Sequence, residues 1–179
     1  PGFIAPNATL GLVEIDAVRA SDDQDEIGAF NPHIRSLIAY NTESKVTESM
    51  RPNGVLQGQI TPRGGRISGS SSIVQFDAWN WEDAAIKADD AIHINWPRTF
   101  KRSGWWAAPG PTVPNKKYTE QVDELKDFFK NARLNNSKDA HLVYNSMAPV
   151  FNKTKKVFIH VNKLLMLLIL VYQKKLMWF

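Results

Sequence analysis

Apolar residues recur at two different periods along this chain, and the switch between them separates helices from strands. Between residues 118 and 132, Tyr118, Val122, Leu125, Phe128, Phe129 and Ala132 fall three or four apart with polar residues between them, the spacing of an amphipathic helix. Acids come early (Glu120, Asp123, Glu124) and bases late (Lys130, Arg133), as the helix dipole favours. A second helix is expected around residues 140–150. Three shorter helices are expected upstream. One follows Asn31-Pro32, with Asn31 as cap, Pro32 at the first helical position, and Ile34, Leu37 and Ile38 on one face. One covers residues 45–50 and stops near Pro52-Asn53-Gly54. One covers residues 81–88, capped by Asn80, with Glu82 and Asp83 in its first turn.

The strand signals are shorter. Phe3-Ile4 reads as a strand end, residues 55–60 and 73–76 as strands, and Ile92-His-Ile-Asn-Trp96 as an alternating strand that stops at Pro97. Lys156-Val-Phe-Ile-His-Val161 reads as a buried strand. Three connections separate them: an acidic surface loop at 21–26, a glycine-rich stretch at 61–72, and a loop rich in Pro, Gly and Trp at 98–117. Strands interleaved with helices define an α/β chain. Residues 164–172 form an unbroken apolar run of nine, short of the roughly 20 that a bilayer-spanning helix needs, so no transmembrane span is expected. The run also lacks the polar punctuation of a surface helix. The chain therefore divides into residues 1–162, which carry the fold, and an atypical apolar and basic tail, 163–179, read as foreign to it.

Composition changes this picture in a few places. The 179 residues are 43% apolar and include six tryptophans, which describes a globular chain. There is no cysteine, which excludes a disulfide framework, thiolate metal sites and a cysteine nucleophile. The net charge of +4 conceals an asymmetry: residues 1–97 carry 7 Lys/Arg against 13 Asp/Glu, and residues 98–179 carry 15 against 5. No nucleic-acid motif accompanies the basic half, so it reads as a solvated face plus the tail, and no nucleic-acid partner is expected. The chain opens on Pro1 rather than Met, and the expectation is a piece of a longer protein.

The candidate chemistry lies at the ends of the strands. The opening segment Pro1-Gly-Phe-Ile-Ala-Pro-Asn-Ala-Thr-Leu-Gly11 resembles the Pro-Gly-Leu-Ile-Asp-Ala-His-Thr-His-Leu-Gly segment that opens the barrel of amidohydrolases. Three further segments follow in order. Asn31-Pro-His-Ile-Arg-Ser-Leu-Ile-Ala-Tyr-Asn41 and Arg51-Pro-Asn-Gly-Val-Leu-Gln-Gly-Gln-Ile60 resemble stretches of imidazolonepropionase-like members. Gly64-Gly-Arg-Ile-Ser-Gly-Ser-Ser-Ser-Ile-Val-Gln-Phe-Asp77 resembles the glycine loop and strand that come next. The resemblance implies an incomplete (β/α)8 TIM barrel of the metal-dependent hydrolase type. It implies a divalent metal, zinc above all, in the parent family, and a small amide-type substrate whose C–N bond a metal-activated water cleaves. It also implies that His160, late in its strand, is a metal ligand. The paired histidines of the family are Asn7 and Thr9 here. Two residues at i and i+2 of a strand share a face, but neutral oxygens are poor zinc ligands. The expectation is that this chain holds no metal and is inactive alone. The alternatives are a non-catalytic barrel relative that binds a ligand or partner, and a membrane-surface protein using the tail.

Other constellations lead nowhere. Gly64 and Gly69 have the glycine spacing of a phosphate loop but lack its lysine. Ser70-Ser71-Ser72 is not in a nucleophile elbow. His33, His93 and His141 lack ligand spacing and read as surface or turn residues. Trp79/Trp81 and Trp105/Trp106 read as core or contact residues. The catalytic and substrate-binding residues, the compartment and the oligomeric state are not specified by the sequence.

Overall fold

A computed structural model describes residues 2–105, 107–135 and 142–162. His141, Trp106 and the tail 163–179 lie outside the described residues. Five strands form one mixed sheet in the order β1 (Phe3–Ala8), β2 (Val55–Ile60), β3 (Ile67–Gln75), β4 (Ala85–Asn95), β7 (Lys156–His160). β1 pairs parallel to β2, and β4 parallel to β7; β3 runs antiparallel to both of its neighbours. Four of the five strands therefore point the same way. Connection length decides which. Only residues 61–66 join β2 to β3, and only 76–84 join β3 to β4, far fewer than a parallel crossover needs. Residues 96–155 join β4 to β7 and contain the long helix α3 (Tyr118–Leu134) that packs the crossover onto the sheet. The architecture is α/β and half a barrel wide. Among the described residues it has fewer helices than a regular (β/α)8 barrel would place between such strands, and one strand is reversed.

Two apolar clusters hold one face of the sheet. Ile67, Ile92, Ile94 and Trp96 pack on Val122, Leu125, Phe128 and Ala132 of α3, with Met147 and Val150 beyond. Ile60, Val74 and Phe76 pack on Leu12, Leu37 and Tyr40. The four α3 residues are those the helical spacing singled out. Helix α1 (Lys45–Met50) also forms where expected, with the Ser44 hydroxyl accepting from the Thr47 amide and Gly54 left-handed (φ 81°) at the stop.

Elsewhere tertiary pairing overrides the local pattern. No α-helix follows Asn31, only a 3-10 turn at Ser36–Ala39. Asn31 spends its amide on the carbonyls of Glu26 and Gly28, and the Ser70 amide donates to Ile34, which holds Arg35 extended beside the sheet. The glycine-rich stretch is half strand: β3 starts at Ile67, six residues earlier than the apolar run suggests. Its serines are buried because the sheet ladder satisfies their backbone. The helix expected at 81–88 is one turn, α2 (Trp81–Ala84), capped as expected by Asn80 accepting from the Asp83 amide, before β4 takes over. The 98–117 loop contains a hairpin, β5 (Phe100–Trp105) with β6 (Ala108–Pro114). Within the described part of the helix expected at 140–150 there are two single turns, α4 (Leu142–Asn145) and α5 (Ala148–Phe151), with Pro149 in the first turn of the second. β7 is an edge strand, with Phe158 and Ile159 each about two-fifths exposed, rather than a buried one.

Candidate functional site

Because β1, β2, β4 and β7 run the same way, their C-terminal ends meet at one end of the sheet. Asn7, Gln59, His93 and His160 lie at or within two residues of those ends. They occupy the face opposite α3. Alternation along β4 forces this: Ile92 and Ile94 point into the apolar cluster, so His93 and Asn95 point away from it. The same alternation along β7 turns Phe158 and His160 to that side.

The side chains there form a continuous polar chain. Gln59 Nε2 donates to Ser71 Oγ at 3.3 Å. Ser71 Oγ lies 2.7 Å from His93 Nε2, and His93 Nδ1 lies 2.8 Å from His160 Nε2, so one proton is shared at each step according to the ring tautomers. His93 is fully buried, stacked against Phe158 at 5.2 Å between ring centres and against His160 at 5.1 Å. Burial lowers the His93 pKa to about 4, helped by His160 and by the positive charge of Arg63. Burial and then Arg63 lower that of His160. Both imidazoles are thus held toward their neutral form.

Arg63 stands at the mouth of this chain. Its Nη1 donates to Asn7 Oδ1 at 2.8 Å and its Nη2 to the Asn7 carbonyl at 2.6 Å, while the Asn7 amide donates to Gln59 Oε1 at 3.3 Å. The loop behind it is set by Asn95, whose Nδ2 donates to the carbonyls of Gly64 and Gly65 and to Ser68 Oγ. Gly65 must be glycine: its φ is +55°, and a Cβ would lie 3.0 Å from the carbonyl oxygens of Gly28 and Ala29.

The residues expected from the sequence are distributed unevenly over this site. His160 lies in it, and so does His93, which had read as a surface or turn residue. The alternation Ile92-His93-Ile94 was the signal for a buried inward histidine, but spacing to another ligand obscured it. Asn7 and Thr9 do not keep the regular i, i+2 geometry. β1 is irregular between Ala5 and Ala8, Asn7 is left-handed (φ 51°), and Thr9 lies beyond the strand end. Asparagine tolerates that backbone, which a β-branched residue would not. Arg63 was not singled out by any motif. Trp79 and Trp105 are largely exposed to solvent, and His33 sits in a turn. A separate groove of about 750 Å³ between α3 and β7, lined by Ile94, Leu125, Phe129, Phe151 and Val157, lies on the apolar face. It shares no residue with the polar chain, so the polar chain is the better candidate for chemistry.

The donor set can be tested against the divalent metal that the resemblance implies. Two nitrogens on one zinc sit about 3.3 Å apart when each is 2.0–2.1 Å from the ion. Here the two imidazole nitrogens hydrogen-bond directly to each other. Asn7 offers neutral oxygens that already accept from a guanidinium, and no acid joins the group. Among the described residues no three of His, Asp and Glu come together as ligands. These residues do not fit such an ion.

No protein-family model matches the chain, and no curated protein matches it. Among solved structures, an amidohydrolase from Thermotoga maritima MSB8 is similar over 100% of this chain and 49% of its own, with 17% identity and a TM-score of 0.78. The chain spans about half the length of that protein. The likeness shows the fold: part of an α/β barrel, with the polar chain at the end of the strands where (β/α)8 barrels carry their sites.

Proposed function

We propose that the chain is the strand-bearing half of an amidohydrolase-type barrel that receives a small amide-bearing molecule at the C-terminal ends of its strands. As it stands, it does not cleave that molecule by the metal route. The fold likeness and four ordered sequence segments support the hydrolase-family reading, and the parent chemistry is metal-assisted C–N hydrolysis. The observation that carries the second half is the double hydrogen bond from Arg63 to Asn7. Metal-assisted hydrolysis needs a cation with an open position that makes hydroxide from water. A guanidinium supplies charge and donors but has no such position. Gln59 and His160, backed by the buried Ser71 and His93, then form a rigid polar wall that hydrogen-bonds and orients an amide.

The test is turnover of linear and cyclic amides and imides by the purified chain, with added zinc and with a chelator. The expected result is no release above background and no stoichiometric zinc by elemental analysis. Hydrolysis that the chelator abolishes overturns the reading.

A further inference from the structure

The arginines of the N-terminal half separate into two kinds. Arg19, Arg35, Arg51 and Arg66 each meet a carboxylate, of Asp25, Asp89, Asp77 and Glu124, at 2.7–3.0 Å. Arg63 meets none among the described residues, although this half of the chain carries 13 acids. It is also partly buried, and burial alone lowers its pKa; no acid counters that. A partly desolvated cation without a counter-charge is costly unless something else supplies the anion. Asn7 takes two of its five N–H donors, and among the described residues the other three have no acceptor. The groups that continue the site, Gln59, Ser71, His93 and His160, are neutral, so among the described residues no group of the polar chain competes for the charge.

We propose that Arg63 is a fixed binding cation for the carboxylate of a small ligand whose remaining polar end lies along Gln59 and His160. This deepens the reading of a metal-free amide-binding site and rests on it. A carboxylate is favoured over a phosphate because one guanidinium offers one charge and a planar fork, which match a planar monoanion. The Arg63–Asn7 contact fixes the guanidinium before the ligand arrives, so little side-chain freedom is lost on binding.

The experiment is isothermal titration of the full chain with three probes: succinamate, which carries one carboxylate and one amide; succinamide, its neutral counterpart; and inorganic phosphate. Succinamate is expected to bind saturably. Succinamide is expected to bind about tenfold or more weakly, the loss of one charged hydrogen-bond pair. Phosphate is expected to bind more weakly than succinamate. Arg63→Gln is expected to bring succinamate down to the level of succinamide. Arg63→Lys keeps the charge without the fork and is expected to retain a smaller preference for the acid; it decides the matter if the glutamine variant does not fold by circular dichroism. Absence of succinamate binding, equal binding of acid and amide, tighter binding of phosphate, or an unchanged preference in the folded Arg63 variant each overturns the inference. Chelator-sensitive hydrolysis defeats the metal-free reading instead, while the acid-over-amide preference is scored separately.

Discussion

At the scale of the residue, His93 and Arg63 govern the site, and neither was legible by motif. His93 sits in a strand pattern that the sequence displays plainly, yet its meaning depends on a partner 67 positions away. Strand alternation gives the face of a residue; it does not give what stands opposite. His160 was singled out, as a metal ligand, because a whole segment resembles a known pattern around it; the structure places it beside His93. The burial of His93 has a pH consequence. Its folded pKa of about 4 lies below the ordinary 6.5, so between those values the unfolded chain binds the proton that the folded chain refuses. The stability this group contributes is present above about pH 6.5 and is lost as pH falls toward 4, by at most about 3 kcal/mol. Urea unfolding at pH 7 and pH 5 should show the decline, and His93→Gln should flatten it. His93→Ala removes a buried ring and leaves Ser71 and His160 each short of a partner; at pH 7 it should cost about 2–4 kcal/mol in the same measurement.

At the scale of the element, the chain was legible where one element satisfies itself. The α3 pattern needs only a neighbour for its apolar stripe, and it formed as read. Segments whose backbone is satisfied by another segment were misread: 67–71 pairs with 91–94, and 100–105 pairs with 108–114. The residues in those stretches, serines, glycines and prolines, look like loop until the partner strand is known. Phe128 shows how much rests on α3. It stacks on Phe30 at 4.7 Å with rings 8° apart and also meets Phe129 and Tyr144. Phe128→Ala should cost about 3–5 kcal/mol, a large share of the stability of a domain this size, and should be visible as a shift of several degrees or outright unfolding in a thermal melt. Ser44→Ala, which removes only the cap of α1, should cost about 1 kcal/mol in the same melt.

At the scale of the whole molecule, β1 and β7 are the outermost described strands of the sheet. Among the described residues nothing pairs with the outer side of β1 or of β7. β1 carries Pro6 but no charge, and β7 carries only Lys156, so neither edge is strongly protected against pairing. The isolated chain should therefore self-associate as its concentration rises, read by light scattering after size exclusion, and Ile4→Lys on β1 should reduce this. A chain that stays monomeric at every concentration would show that the edges are covered. The same topology fixes an order of events. β2, β3 and β4 are joined by short connections and close cheaply, whereas β7 reaches β4 only after some sixty residues have been looped out. The meander should gain amide protection first and β7 last during refolding followed by pulsed hydrogen exchange. Ser71 and His93 then meet while the chain is still assembling, and His160 arrives at the end, so the polar chain is complete only in molecules that have finished folding.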